Sequence, residues 1–239
     1  MYFERLARAL PEVRRTIAEA CARAGRSDPD AVVIVAVTKG HPPEAIEAAR
    51  AHGLRVIGEN RVQEAEAKRA ALGDGASAVE WHLVGHLQRN KVRRALRCFD
   101  WIQSVDSVRL ARELQEEAER RGRRVDVLVE VNASGEPQKY GLPVDDALPA
   151  VAEIVRFDGL RVRGLMTMAP WTQDAEVLRA TFRRARACFE RCRDGVPGFE
   201  AEHLSMGMTN DYAIAVEEGA TMVRLGTALF GPRGVGEAA

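Results

Sequence analysis

Lysine is scarce in this chain. Lysine and arginine together number 35, and only Lys39, Lys68, Lys91 and Lys139 are lysines. Arginine stays protonated and serves poorly as a nucleophile, whereas a lysine amine can be tuned for covalent chemistry. Lys39 has the most suggestive surroundings. It ends the run AVVIVAVTKG, Ala31 to Gly40, which is apolar and β-branched up to Thr38. An amine at the tip of a buried strand is partly desolvated, which favours its neutral, nucleophilic form. A lone strand-end lysine more often snorkels to water, so its companions decide.

Other polar residues follow short apolar runs in the same way. They include Asn60 in Gly58-Glu59-Asn60, His86 in Gly85-His86-Leu87-Gln88, Asn132 with Lys139 further along its loop, and Thr167, which is followed by Met168. The last two tips carry Ser205-Met206-Gly207 and Arg224, then Gly226-Thr227. Ser205 and Thr227 offer hydroxyls, and Gly207 and Gly226 let backbone amides approach an anion closely. A short turn of helix opening at Thr227 would aim its positive end at the same spot. Together they read as a phosphate cradle, with Lys39 across the mouth from it. An amine facing a phosphate site calls for a carbonyl compound that carries phosphate. Pyridoxal phosphate and a sugar phosphate both qualify, and Arg224 beside the cradle suits an unprotonated ring nitrogen. His82 and His86 have the spacing of metal ligands, but no third ligand follows, so no metal is expected and His82 reads as a core histidine. Met166 and Met168 alternate on a strand, where at least one is core filler. No G-x-G-x-x-G supports a dinucleotide.

These tips need elements to hold them. Leu6, Leu10, Val13 and Ile17 recur at helical steps and predict a helix over 2–24, stopped at Gly25. Strands are predicted at 32–37, 55–57, 82–84, 101–103, 125–131, 160–166, 203–205 and 222–225. Helices are predicted at 43–52, 61–72, 91–96, 107–121, 144–156, 175–193 and 212–217, with a turn at 227–230. Eight strands alternating with helices in 239 residues predict an α/β fold: a single (β/α)8 TIM-type barrel with an extra N-terminal helix. One domain is expected over 1–239, with the N-terminal helix in 1–25 and the barrel in 31–232. In such a barrel the chemistry lies on the loops after the strands, and phosphate binds after the last two.

Composition narrows the partners. Basic and acidic residues both number 35, a formal net charge of zero, so neither nucleic acid nor a membrane surface is an expected partner. Cys21, Cys98, Cys188 and Cys192 show no disulfide spacing. The N-terminus reads as an amphipathic helix rather than a signal peptide, and no apolar run is long enough to span a bilayer. A cytoplasmic protein with reduced thiols is expected.

The motifs VAVTKG, VIGENRVQEAEAK, WHLVGHLQRNK, GLMTMAP and HLSMGMTNDYAIAVEEGATMVRLGTALFG, in that order, resemble the YggS/PROSC family of pyridoxal phosphate homeostasis proteins. The likeness runs from about Val32 to Gly231. It implies a fold type III barrel like the N-terminal domain of alanine racemase. It makes Lys39 the cofactor lysine, held to pyridoxal phosphate as an aldimine. It assigns the phosphate to Ser205, Gly207, Gly226 and Thr227, the pyridine nitrogen to Arg224, and a place near the cofactor to Asn60. Gly40-His41 departs from the family's usual pair and removes a second basic residue there.

The resemblance implies a carrier that buffers pyridoxal phosphate and delivers it to apo-enzymes, as a monomer or weak dimer. Lys139 is a candidate secondary acceptor when the cofactor leaves Lys39. The alternatives are a pyridoxal-phosphate-dependent racemase and a Schiff-base aldolase. An aldolase gives Arg224 no role. Racemisation needs groups on two faces, and alanine racemase takes its second from an added domain. Here the chain ends soon after the eighth strand, and the loops offer His86, Tyr140 and Tyr212 without evident partners.

Overall fold

Apolar residues at helical spacing build the first element. In the computed structural model, which describes residues 1–232, helix α1 (Tyr2–Arg23) buries Leu6, Leu10, Val13, Ile17 and Cys21 along one stripe. It runs through Pro11, and the chain leaves it at Gly25, whose φ of +69° suits glycine.

Strand and helix then alternate. The order is β1 (Val33–Val37), α2 (Pro43–Ala51), β2 (Val56–Glu59), α3 (Val62–Leu72), β3 (Glu80–Leu83), α4 (Val92–Cys98), β4 (Trp101–Val105), α5 (Val108–Arg120) and β5 (Val125–Asn132). It continues with β6 (Leu142–Pro143), α6 (Ala147–Ile154), β7 (Leu160–Met166), α7 (Ala175–Gly195), β8 (His203–Ser205), α8 (Tyr212–Glu217), β9 (Met222–Leu225) and α9 (Thr227–Phe230). The barrel strands pair in parallel in the order β4-β3-β2-β1-β9-β8-β7-β5, and β4 pairs with β5 to close the ring. This is the expected eight-stranded α/β barrel. The two-residue β6 lies outside it, alongside Val131 and Asn132 at the end of β5.

The strands divide their side chains between two cores, as the two-residue repeat requires. On β1, Val33, Val35 and Val37 point into the barrel, where they meet Val84, Leu128, Met166 and Met222. Ile34 and Ala36 point outward beneath the helices. Trp101 closes the N-terminal end of the lumen: it stacks on His82 at 5.0 Å, meets His203 edge-on at 5.5 Å, and lies under Arg163 at 5.7 Å. A ligand therefore enters from the opposite end, where the strand tips are. Helix α1 packs against α2, α8 and α9, and Tyr2 reaches His41 at the β1 tip, Oη to Nδ1 3.2 Å.

The structure adjusts several predicted bounds. Strand β2 runs on through Gly58 and Glu59. Polarity hid that extension, yet Gly58 is confined, since a Cβ there would lie 2.9 Å from Val35 Cγ1. Strand β4 likewise continues to Val105 through the buried Ser104. Helix α6 begins at Ala147 rather than at 144, because Leu142–Pro143 is drawn along β5 first. The turn predicted at 227–230 is one turn of helix. Among the described residues no helix is long and apolar enough to cross a membrane.

Candidate functional site

The β1 tip is a tight turn. His41 N–H donates to Thr38 O at 3.0 Å, and Gly40, third in the turn, has φ +71°. That is the glycine position of a type II turn, with Lys39 second. The Gly40-His41 departure thus supplies the turn. His41 is 6% exposed, held by Tyr2 and by Phe230 at 5.5 Å. Lys39 itself is half-buried.

A charged cluster beneath the turn was not anticipated. Thr38 Oγ1 donates to Glu59 Oε1 at 2.5 Å. Lys68 Nζ donates to Thr38 O at 2.7 Å, Glu59 Oε1 at 2.6 Å and Glu64 Oε1 at 2.7 Å. Gly40 N–H donates to Glu64 Oε1 at 2.6 Å. Glu59 is fully buried and Lys68 is 5% exposed. Burial pushes the Glu59 carboxyl up even with Lys68 beside it. Burial also opposes ionisation of Glu64, but the bonds from Lys68 and Gly40 outweigh it and the group is held low. Two signals could have exposed the cluster: the rarity of lysine, and the four-residue spacing of Glu64 and Lys68 on one helix face.

A second polar chain crosses the lumen. Arg224, 5% exposed, donates through Nη1 to Ser205 Oγ at 2.7 Å and through Nη2 to Thr167 O at 2.8 Å. Ser205 Oγ donates to Gln103 Oε1 at 2.8 Å. Gln103 Nε2 lies 2.7 Å from His82 Nδ1, and His82 Nε2 lies 2.7 Å from Glu80 Oε1. Each donor finds an acceptor if His82 carries its proton on Nε2. His82 is thus the satisfied core histidine expected, and no group of three or more potential metal ligands occurs among the described residues. The Ser205 hydroxyl, expected at a phosphate, is turned toward Arg224 and Gln103. Burial lowers the Arg224 guanidinium to about 10, with Glu130 and Asp211 pulling it back up, so it is protonated at neutral pH. Glu130, 2% exposed on β5, is raised to about 7 by burial and by Asp106, against the pull of Arg224. Sequence reasoning missed Gln103 and Glu130, because polar residues inside apolar strand runs give no periodic signal.

The cradle lies beside Lys39, not across the mouth. Closure pairs β1 with β9, Ala36 opposite Leu225, so Thr38-Lys39 and Gly226-Thr227 leave the barrel together. A Cβ on Gly226 would lie 3.2 Å from Val37 O. Arg224 N–H donates to Gly207 O at 2.9 Å and ties the β8 and β9 tips. Among the described residues nothing accepts from the N–H groups of Gly207, Gly226 or Thr227, and Thr227 is exposed. Unused amides and a hydroxyl on adjacent tips fit a phosphate group. An amine next to them and a buried guanidinium below fit the rest of pyridoxal phosphate.

The rim carries the remaining candidates. Asn60 is half-buried at the β2 tip, where a Cβ on Gly85 would strike Asn60 O at 2.4 Å. His86, read from sequence as lacking a partner, pairs through Nδ1 with Asp106 Oδ2 at 3.0 Å and stacks on Tyr140 at 3.8 Å. Lys139 Nζ donates to Ala169 O at 2.8 Å and pairs with Glu136, so it bridges to the loop after β7. Met168 is half-buried against the lumen cluster, and Met166 belongs to it.

Residues 10–234 match the family model of the alanine racemase N-terminal domain. A pyridoxal phosphate homeostasis protein of Pseudomonas aeruginosa is 40% identical over 232 residues, 97% of either chain. The chain belongs to the pyridoxal phosphate homeostasis protein family. A homeostasis protein of Aquifex aeolicus is 39% identical over 230 residues, 96% of this chain and 97% of that one. PipY of Synechococcus elongatus, solved with pyridoxal phosphate bound, superposes with a TM-score of 0.80 at 41% identity, covering 90% of this chain and 100% of PipY.

Proposed function

We propose that this chain binds pyridoxal phosphate and serves its homeostasis, holding the cofactor covalently through Lys39 and releasing it to apo-enzymes. The observation that carries the assignment of the site is the pairing of β1 with β9, which sets the lysine-bearing turn beside the unused amides of Gly226 and Thr227. When bound, pyridoxal phosphate supplies an electrophilic aldehyde on a pyridine ring. The protein's own groups do the rest. Lys39 Nζ offers the amine. The amides of Gly207, Gly226 and Thr227, with the Thr227 hydroxyl, hold the phosphate, where each charge-assisted bond is worth about 1.5–3 kcal/mol. Arg224, braced by Ser205 and Thr167, presents a protonated guanidinium to the ring nitrogen and keeps a proton off it. Asn60 lies at the neighbouring tip, and Met168, just past the end of β7, packs against the lumen cluster at the mouth.

Lys139 has a place in release. It is tethered to Ala169 O and Glu136 on the rim, so swinging toward the cofactor requires breaking both contacts. Such a lysine suits a transient acceptor better than a permanent ligand.

Borohydride reduction of the loaded protein, followed by peptide mapping, tests the central assignment. The pyridoxyl adduct is expected on Lys39, and Lys39→Ala is expected to lose the trapped adduct. An adduct mapped to another lysine in the wild-type protein would refute it.

A further inference from the structure

Of the four lysines, Lys68 is the buried one. Its ammonium has three protons and meets three acceptors: Thr38 O, Glu59 Oε1 and Glu64 Oε1. Arginine's planar fork cannot supply three donors from one tetrahedral point. That matches the survival of a lysine here in a chain built on arginine. What it holds is the turn that carries Lys39. Thr38 O receives both Lys68 Nζ and His41 N–H, and the Thr38 hydroxyl is fixed on Glu59.

Glu64 completes the hold at a telling atom. The peptide between Lys39 and Gly40 is the central peptide of the turn. Type I and type II turns differ by a flip of that peptide, which changes ψ of the second residue by about 150°. Glycine at the third position tolerates both states, so the sequence of the turn alone does not choose between them. Gly40 N–H belongs to this peptide and is pinned to Glu64 Oε1 at 2.6 Å. The same carboxylate oxygen is pinned in turn by Lys68.

We propose that Glu64 and Lys68 are positioning residues for Lys39, locking the central peptide of the Thr38–His41 turn in one orientation so that the Lys39 amine meets the cofactor aldehyde beside the phosphate cradle. The proposal rests on the reading of Lys39 as the cofactor lysine. It assigns neither Glu64 nor Lys68 any contact with the cofactor. Their effect is confined to the covalent part of binding and leaves the phosphate and ring contacts intact.

The experiment compares two probes. Pyridoxal phosphate can join the amine. Pyridoxine 5′-phosphate carries an alcohol in place of the aldehyde and reports the non-covalent contacts alone. Both affinities are measured for wild type, Glu64→Ala, Lys39→Ala and the neutral pair Glu59→Gln with Lys68→Met. The double variant removes both buried charges together, and Glu64 is the most exposed of the three charged side chains, so these two changes are the ones least expected to unfold the protein. Thermal melting confirms which. Glu64→Ala is expected to weaken pyridoxal phosphate about tenfold while pyridoxine 5′-phosphate stays within about twofold of wild type. The double variant should show the same split. Equal weakening of both probes would make the cluster merely structural, and no change in either would make the clamp idle; each overturns the proposal. Lys39→Ala sets the reference, for it should erase the preference for the aldehyde. If it does and Glu64→Ala does not reduce that preference, the clamp alone fails. If Lys39→Ala keeps the preference, the assignment of Lys39 fails and takes the clamp with it.

Discussion

At the scale of single residues, the mouth stores its chemistry in a few buried charges. Glu130 is the clearest case. Its carboxyl is raised from 4.5 to about 7, so the folded protein binds that proton more tightly than the unfolded chain does. The stability this contributes is fully present below about pH 4.5 and is lost as the pH rises through 7, amounting to roughly 3 kcal/mol. Glu130→Gln should therefore melt like wild type near pH 4 and distinctly higher than wild type at pH 8. Parallel pH profiles for the two proteins would place the titration elsewhere. Thr227 gives a prediction about the ligand. In the proposed cradle its hydroxyl holds the phosphate, so Thr227→Val should weaken pyridoxal phosphate by about ten- to a hundredfold, the worth of one charge-assisted hydrogen bond, yet leave unphosphorylated pyridoxal nearly unaffected. Isothermal titration with both ligands checks this, and an equal loss for the two would remove Thr227 from the cradle.

At the scale of elements, the site depends on how the strand tips approach one another. Gly207 joins β8 to the segment before α8 with φ +96°, and a Cβ there would stand 2.6 Å from Ala215 Cβ and 3.0 Å from Tyr212 Cα. Strain and overpacking act together, so Gly207→Ala should cost about 2–4 kcal/mol in chemical denaturation. It should also displace the amide proposed to hold the phosphate. A variant with full stability and full affinity would mean that this turn moves freely. The rim bridge between Lys139 and Ala169 makes a separate prediction. Lys139→Ala should slow transfer of pyridoxal phosphate to an apo-enzyme while leaving the equilibrium affinity close to wild type, and identical transfer rates would remove the relay.

At the scale of the whole molecule, one ring of eight strands closes onto itself, and that closure bears on whether the protein turns over amino acids. Racemisation requires proton transfer on both faces of the substrate carbon. With Lys39 as the proposed cofactor lysine, its released amine would serve one face. On the rim His86 is stacked on Tyr140 and paired with Asp106, an arrangement that commits it to bridging loops. Incubation of the loaded protein with L-alanine in heavy water is expected to give at most slow deuteration at the α-carbon and no accumulation of the D-isomer. Repeated turnover to D-alanine, abolished by Lys39→Ala, would replace the carrier reading with a racemase.

Much of this was legible in the sequence. Hydrophobic runs of two-residue and three-to-four-residue period gave the alternation of strand and helix. The residue types at the ends of those runs marked Lys39, Ser205, Gly207, Arg224, Gly226 and Thr227 as candidates for one site, because a parallel barrel sends every strand end to one mouth. The rest depended on distance through space. Whether Lys39 stands across from the cradle or beside it is decided by β1 pairing with β9, a contact between the first and last strands that no local pattern encodes. The Glu59–Glu64–Lys68 cluster under the turn, the line from Arg224 through Ser205 and Gln103 to His82, and the pairing of His86 with Asp106 join residues 4 to 102 positions apart. Local periodicity reports which face of an element is buried. It is silent on which buried polar groups meet, because that is settled only when closure of the barrel removes water and leaves each of them to find its partner.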